Sequence, residues 1–141
     1  MKINGLLETA IYGKDLNSLE KFYTEIFGLE LVAKTEGRNV VLKCGNSALI
    51  LFNPEASLEP GGIFPPHGNS GNGHVAFVVE ENELSDWRAK LESNSIEIEA
   101  EVNWHEGGTS IYFRDTAGNS IELAPTTLWK GLGRLLLNSN K

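Results

Sequence analysis

An internal duplication constrains this 141-residue chain more than any other feature. Residues 6–12 (LLETAIY) read as a strand. Asp15 then stands where a helix N-cap belongs, ahead of LNSLEKFYTEIF, in which Leu16, Leu19, Phe22, Tyr23 and Ile26 recur at helical spacing. Gly28 follows at the place of a left-handed C-terminal residue. Three strand-like runs come next, at 29–33, 39–43 and 48–52, separated by turns carrying Glu36-Gly37 and Gly45-Asn46. The second half repeats this order. Residues 74–79 read as a strand and 81–92 as a helix with Leu84, Trp87, Arg88 and Leu91 on one side. Asn94 ends that helix, and IEIEAEV, TSIYFRD and NSIELAP follow as three strands. Glu8 and His74 are related by an offset of 66, as are Gly28 and Asn94, and Ile96-Glu97-Ile98 copies Leu29-Glu30-Leu31 at an offset of 67. Neither half can close a core alone. The expected fold is therefore α+β: two βαβββ modules in tandem, with curled mixed sheets packed side by side and a cleft between them.

Module one spans 1–53 and module two 73–125. The linker 54–72 lies between them, and the stretch 53–73 holds four of the five prolines and many of the glycines. No periodic element fits there, so it reads as a linker or as a loop over a site. The two modules form one expected domain, 1–130. The tail 126–141, apolar at Leu128, Trp129, Leu132, Leu135 and Leu136, reads as a docking helix suited to a dimer contact.

A hydrophobic content of 40% and a charged content of 22% are those of a globular chain rather than a disordered one. The formal charge of -7 argues against a nucleic-acid surface, which needs a basic footprint, and against anionic membranes. The single cysteine, Cys44, leaves no intrachain disulfide. With no apolar run of membrane-spanning length and no signal-peptide pattern, a cytoplasmic location is expected.

Three segments resemble the vicinal-oxygen-chelate superfamily, the glyoxalase, bleomycin-resistance and dioxygenase proteins. IYGKDLNSLEKFYTEIFGLEL looks like its first strand and helix, GHVAFVV like the strand opening its second module, and IYFRDTAGNSIEL like its closing hairpin. The motifs occur in order, on a duplicated layout, up to about Trp129. The resemblance implies a cleft that takes a small-molecule substrate, a divalent metal ion and a homodimer. It also implies the ligands: Glu8, seven residues before Asp15; His74, opening the module-two strand; and Glu122 in the closing hairpin. The duplication ties Glu8 to His74 independently. One imidazole and two carboxylates suit Zn, Ni, Mn, Fe or Mg without choosing among them.

Strand parity adds a geometric expectation. If Asp115 pairs with Asn119 across a loop with Gly118 at its bulge, Tyr112 lies opposite Glu122, and Ser110, Tyr112 and Arg114 share the ligand face. Tyr112 is then a candidate catalytic donor or substrate-orienting group, and a metal-bound carboxylate such as Glu122 a candidate base. Arg38, His67, Trp104 and Arg114 are candidate substrate contacts, as is His105 beside Trp104. A surface arginine, a loop histidine and a turn-anchoring aromatic would account equally for the first three.

The expected activity is that of a metal-dependent glyoxalase-like lyase or isomerase chelating vicinal oxygens. The alternatives are a non-catalytic binding or resistance protein, or a thiol transferase or dioxygenase of the same superfamily. Glu8 in place of a histidine lowers the dioxygenase option. Glyoxalase I-like relatives add a glutamate from the last strand of module one, where this chain places Leu51 at the matching position.

Overall fold

The computed structural model describes residues 1–104 and 107–129. The expected strand–helix–strand–strand–strand order appears twice. The first set is β1 (Glu8–Tyr12), α1 (Leu16–Glu25), β2 (Glu30–Thr35), β3 (Asn39–Cys44) and β4 (Ser47–Phe52). A short helix α2 (Pro54–Leu58) follows. The second set is β5 (His74–Val78), α3 (Leu84–Ser93), β6 (Ala100–Asn103), β7 (Thr109–Arg114) and β8 (Ser120–Ala124), and a 3-10 turn over Thr126–Trp129 comes last. Each set makes one four-stranded mixed sheet, in the orders β1-β4-β3-β2 and β5-β8-β7-β6, with the first-named strand parallel to its neighbour. The chain forms two compact units, Met1–Gly73 with Asp115–Asn119, and His74–Arg114 with the residues from Ser120 onward. The remainder of the expected docking helix, 130–141, lies outside the described residues. Among the described residues no helix is long and apolar enough to cross a membrane.

In the first unit the side-chain alternation of the strands sorts residues cleanly between faces. Ile11, Val40, Leu42, Leu49 and Leu51 are buried on one face, and α1, which packs on β3 and β4, buries Leu16, Leu19, Phe22 and Tyr23. Each such side chain contributes roughly 2 kcal/mol of apolar burial. Asp15 caps α1 by accepting from the Ser18 amide at 3.0 Å, and Gly28 takes the left-handed conformation at φ 66°. The opposite face carries Glu8, Ala10 and Tyr12.

Asp115, in the β7–β8 loop, is the most heavily hydrogen-bonded acid of this unit. Its carboxylate accepts from the Tyr23 hydroxyl (2.8 Å), the Asn119 side-chain amide (2.9 Å) and the backbone amides of Ala117 and Asn119 (both 2.9 Å). Asn119 in turn accepts from the Gly73 amide and donates to the Tyr12 carbonyl. The Asp115 amide donates to the Asn119 carbonyl and Gly118 sits at φ 84°, as the three-residue loop requires.

Several sequence expectations shift. Residues 53–73 do contain an element: Asn53 accepts from the Glu55 and Ala56 amides, and Pro54 occupies the first turn, where its missing amide costs nothing, so α2 forms. The second helix opens with a 3-10 turn, Glu81–Glu83, before α3. Asn94 stays right-handed at φ -99°, its side-chain amide bonded to the Lys90 carbonyl, and Ser95 takes the left-handed position at φ 57°. Gly28 therefore corresponds to Ser95, which agrees with the offset of the Leu29-Glu30-Leu31 copy. The strand expected from Ile96 begins only at Ala100, because the Ile96 amide is still bonded to Leu91 of the helix.

Two outcomes follow from the Tyr23–Asp115 pair. Asp115→Ala should lower stability in urea unfolding by about 3 kcal/mol, since it strands several buried donors; a loss within 0.5 kcal/mol of zero would refute the role given to this carboxylate. Burial, and then the charge and hydrogen bond of Asp115, hold the Tyr23 phenol far above its ordinary value of 10.0. A raised folded-state value gives stability that is complete below the unfolded value and is lost as pH rises toward the folded one. Stability should thus fall above about pH 10, and Tyr23→Phe should flatten that alkaline limb in pH-dependent melting.

Candidate metal centre

The second unit brings together four of the residues singled out from sequence. His74 pairs with Ser120 and Ala76 with Glu122 in the β5–β8 register, so His74 and Glu122 stand on one face of adjacent parallel strands. Across β8, Tyr112 lies opposite Glu122 and Arg114 opposite Ser120, as strand parity requires. Ser110 joins them on that face.

Glu122 is only 7% exposed. A buried carboxylate is costly unless its oxygens are engaged, and both are. Oε1 accepts from the Ser110 hydroxyl at 2.6 Å, and Oε2 lies 3.4 Å from His74 Nε2. His74 Nδ1 faces the Ser120 carbonyl at 3.2 Å and the Ser120 hydroxyl at 3.3 Å. A carbonyl accepts only from a protonated Nδ1, which turns the Nε2 lone pair of a neutral ring toward the Glu122 carboxylate. Two acceptors then face each other. They coexist through an imidazolium or a shared cation; in the other neutral tautomer the Ser120 hydroxyl donates to Nδ1 and the Nε2 proton points at Glu122. Two donors each about 2.1 Å from one ion lie about 3.0–3.5 Å apart, which matches the observed separation, so this pair fits a divalent metal.

Tyr112 stacks beside His74, with ring centroids 6.4 Å apart. Burial, then the hydrogen bond and charge of Glu122, push its phenol above the ordinary value, partly opposed by a hydrogen bond with Ser110. A cavity of about 310 Å³ opens at this end of the sheet, lined by Glu99, Ala100, Val102, Tyr112, Arg114 and Ser120. The Arg114 guanidinium is held by both oxygens of Glu99, at 2.6 and 2.9 Å, so the charge at the cavity wall is largely balanced.

Of the other predicted residues, Glu8, Arg38 and His67 belong to the first unit and Trp104 to the second. Glu8 is exposed at the start of β1, in the first unit, and pairs with Ala48. Arg38 donates to the Ala56 carbonyl at 2.9 Å and so ties α2 to β3. His67 accepts from or donates to the Tyr12 hydroxyl at 2.8 Å and sits edge-on to Phe52, with centroids 4.5 Å apart. Trp104, 37% exposed, donates its indole N–H to Ser110 at 2.7 Å. His105 lies outside the described residues. Among the described residues no group of three His, Cys, Asp or Glu side chains gathers closely enough to hold an ion; the structure supplies the His74–Glu122 pair.

The register also corrects one correspondence. In module one Glu8 pairs with Ala48 and Ala10 with Ile50, just as His74 pairs with Ser120 and Ala76 with Glu122. The counterpart of Glu122 is therefore Ile50, not Leu51, which points into the core with no exposure. Neither residue can ligate a metal. The Trp104–Ser110 and Ser110–Glu122 hydrogen bonds carry no sequence signal; only the alternation of TSIYFRD puts Ser110 on the right face.

The family model described as Glyoxalase/Bleomycin resistance protein/Dioxygenase superfamily matches residues 5–123. A crystal structure of a lactoylglutathione lyase from Agrobacterium tumefaciens is 39% identical, with a TM-score of 0.86, over 89% of this chain and 96% of that one. The fosfomycin resistance protein FosX of Listeria monocytogenes is 29% identical over 133 residues, covering 94% of this chain and 97% of the relative. A structure of FosX from the same species, in complex with Mn(II) and 1S,2S-dihydroxypropylphosphonic acid, shares the fold at 22% identity and a TM-score of 0.67, over 86% of this chain and 90% of that one.

If the short Ser110–Glu122 bond keeps the buried carboxylate in place, Ser110→Ala should cost about 2 kcal/mol of stability, and Ser110→Thr well under half of that. Equal losses in chemical denaturation would show that the hydroxyl contributes nothing there.

Proposed function

This chain belongs to the Glyoxalase/Bleomycin resistance protein/Dioxygenase superfamily, and on that footing we propose that it is a metal-dependent glyoxalase-like lyase or isomerase. Its substrate would be a small thiol-conjugated or oxygen-rich molecule presenting two neighbouring oxygens. The observation that carries this reading is the 3.4 Å approach of His74 Nε2 to Glu122 Oε2 on adjacent strands, with Nδ1 turned away to Ser120. In this reading His74 and Glu122 hold a divalent ion, and Glu8, the counterpart of His74 by internal repeat, completes the set, either from the same chain or from a second copy in a homodimer. The ion would supply Lewis acidity toward charge developing on substrate oxygen.

The chain's own residues perform the rest of the proposed work. Tyr112, half-buried and kept protonated by its surroundings, donates a hydrogen bond to a substrate oxygen. In this reading Glu122 also serves as the base that takes a proton from the substrate. The cavity next to the pair, with Arg114 balanced by Glu99, suits a substrate of low net charge better than a dianion. Apolar Ile50 in place of a further carboxylate leaves a three-ligand site.

A second reading, opening of an epoxide as in fosfomycin resistance, is favoured by the 29% match to FosX along nearly the whole chain. The balanced Arg114 weighs against it, since a phosphonate calls for uncommitted cationic charge.

Protein dialysed free of metal should regain a divalent ion at near one equivalent, followed by calorimetry. His74→Ala and Glu122→Gln should each weaken binding by about 100-fold or more, while Tyr112→Phe should leave binding unchanged and lower turnover by about 10²-fold or more. Hemithioacetals of glutathione and fosfomycin with added thiol distinguish the two reactions. Failure of the untreated protein to bind Mn, Zn, Ni, Fe or Mg would sink the metal-dependent reading. Tight binding of an aromatic ligand that survives His74→Ala would favour a non-catalytic resistance protein instead.

A further inference from the structure

We propose that Trp104 and Ser110 are positioning residues that fix Glu122 in a one-oxygen binding mode, with Trp104 acting only through Ser110. The inference rests on the metal reading of the His74–Glu122 pair and goes on to say what prepares that pair.

Donor and acceptor chemistry gives the Trp104–Ser110–Glu122 contacts one direction, beside a Tyr112 phenol that also meets Ser110 and Glu122. An indole nitrogen only donates, so the 2.7 Å contact from Trp104 Nε1 uses a lone pair of the Ser110 hydroxyl. The one hydroxyl proton of Ser110 is then directed at Glu122 Oε1, 2.6 Å away. That distance belongs to a hydroxyl donating to an ionised carboxylate. With Oε1 held in this way, Oε2 is the oxygen presented to His74 Nε2 at 3.4 Å. The indole therefore orients a carboxylate that it does not touch. Without it, the serine proton could rotate away, and the carboxylate would be free to turn both oxygens toward one cation.

Trp104 is not required to hold its own turn. Its amide donates to the Gly108 carbonyl, the Gly107 amide donates back to the Trp104 carbonyl, and Thr109 is bonded through its hydroxyl to Asn103 and through its amide to Glu81. A phenyl ring at 104 keeps all of these bonds and removes only the indole N–H. Hydrogen-bonding partners of metal ligands typically change affinity by about 10–100-fold when removed, and an aligned donor chain strengthens each of its members.

The test is a double-mutant cycle on Mn(II) affinity, measured by calorimetry on the full chain, with melting temperature as the folding control. Trp104→Phe should raise Kd by about 10-fold. Ser110→Ala should raise it further, and the double variant should match Ser110→Ala alone, because the indole acts through the hydroxyl. Ser110→Thr should restore wild-type affinity. Additive losses, or an unchanged Kd in Trp104→Phe, overturn the proposal. A second measurement uses no metal. The Trp104 indole N–H resonance, assigned by its loss in Trp104→Phe, should move in Glu122→Gln even though Glu122 does not contact the ring. If the wild type binds no metal but this resonance responds, the donor chain stands and the metal reading fails. If the resonance ignores Glu122→Gln, the chain itself is refuted.

Discussion

The register of the closing hairpin is the constraint on which the candidate site depends, and the Asp115 carboxylate sets it. Four hydrogen bonds converge on that group, two of them from the backbone of its own loop, and a fifth, from the Asp115 amide to the Asn119 carbonyl, closes the turn. Because strand side chains alternate, a slip of one residue would carry Glu122 and Ser120 to the face now held by Ile121 and Leu123. The buried Tyr23 hydroxyl makes such a slip costly from outside the hairpin, since it would lose its acceptor in an apolar setting. A structural carboxylate thereby places a chemical one.

The duplication explains the layout but not the chemistry. The registers of β1 with β4 and β5 with β8 superpose pair for pair, so each module offers equivalent positions on the same face of its sheet. Module two fills them with His74, Glu122 and Tyr112. Module one fills them with Glu8, Ile50 and Val41. At these positions one half thus carries polar groups satisfied by one another, while the other carries an exposed carboxylate and two apolar side chains. Burial follows the same division: Glu122 is nearly enclosed because Ser110 and His74 answer its two oxygens, whereas Glu8 remains exposed.

Legibility varied with the range of the interaction involved. The α1 cap at Asp15, the left-handed Gly28 and the Tyr112–Glu122 pairing were readable because each depends on contacts within a few residues or on strict alternation. Helix α2 is hidden among prolines and glycines, although Asn53-Pro54 is itself a helix-start signal. Ser95 displaced Asn94 as the left-handed residue because the asparagine amide found a closer partner in the Lys90 carbonyl. The late start of β6 has the same kind of cause, an amide retained by the preceding helix.

By itself the sequence determined two βαβββ modules, which face each side chain occupies, and membership of a superfamily, since periodicity and order are properties of the chain alone. Tertiary structure decided the pairings that span tens of residues. Arg114 was committed to Glu99 and Arg38 to the α2 backbone. The Trp104 indole was turned onto Ser110 and the serine proton onto Glu122, and His74 was brought within 3.4 Å of that carboxylate. Such pairings depend on directional contacts between side chains, and only the folded backbone fixes their distances and angles.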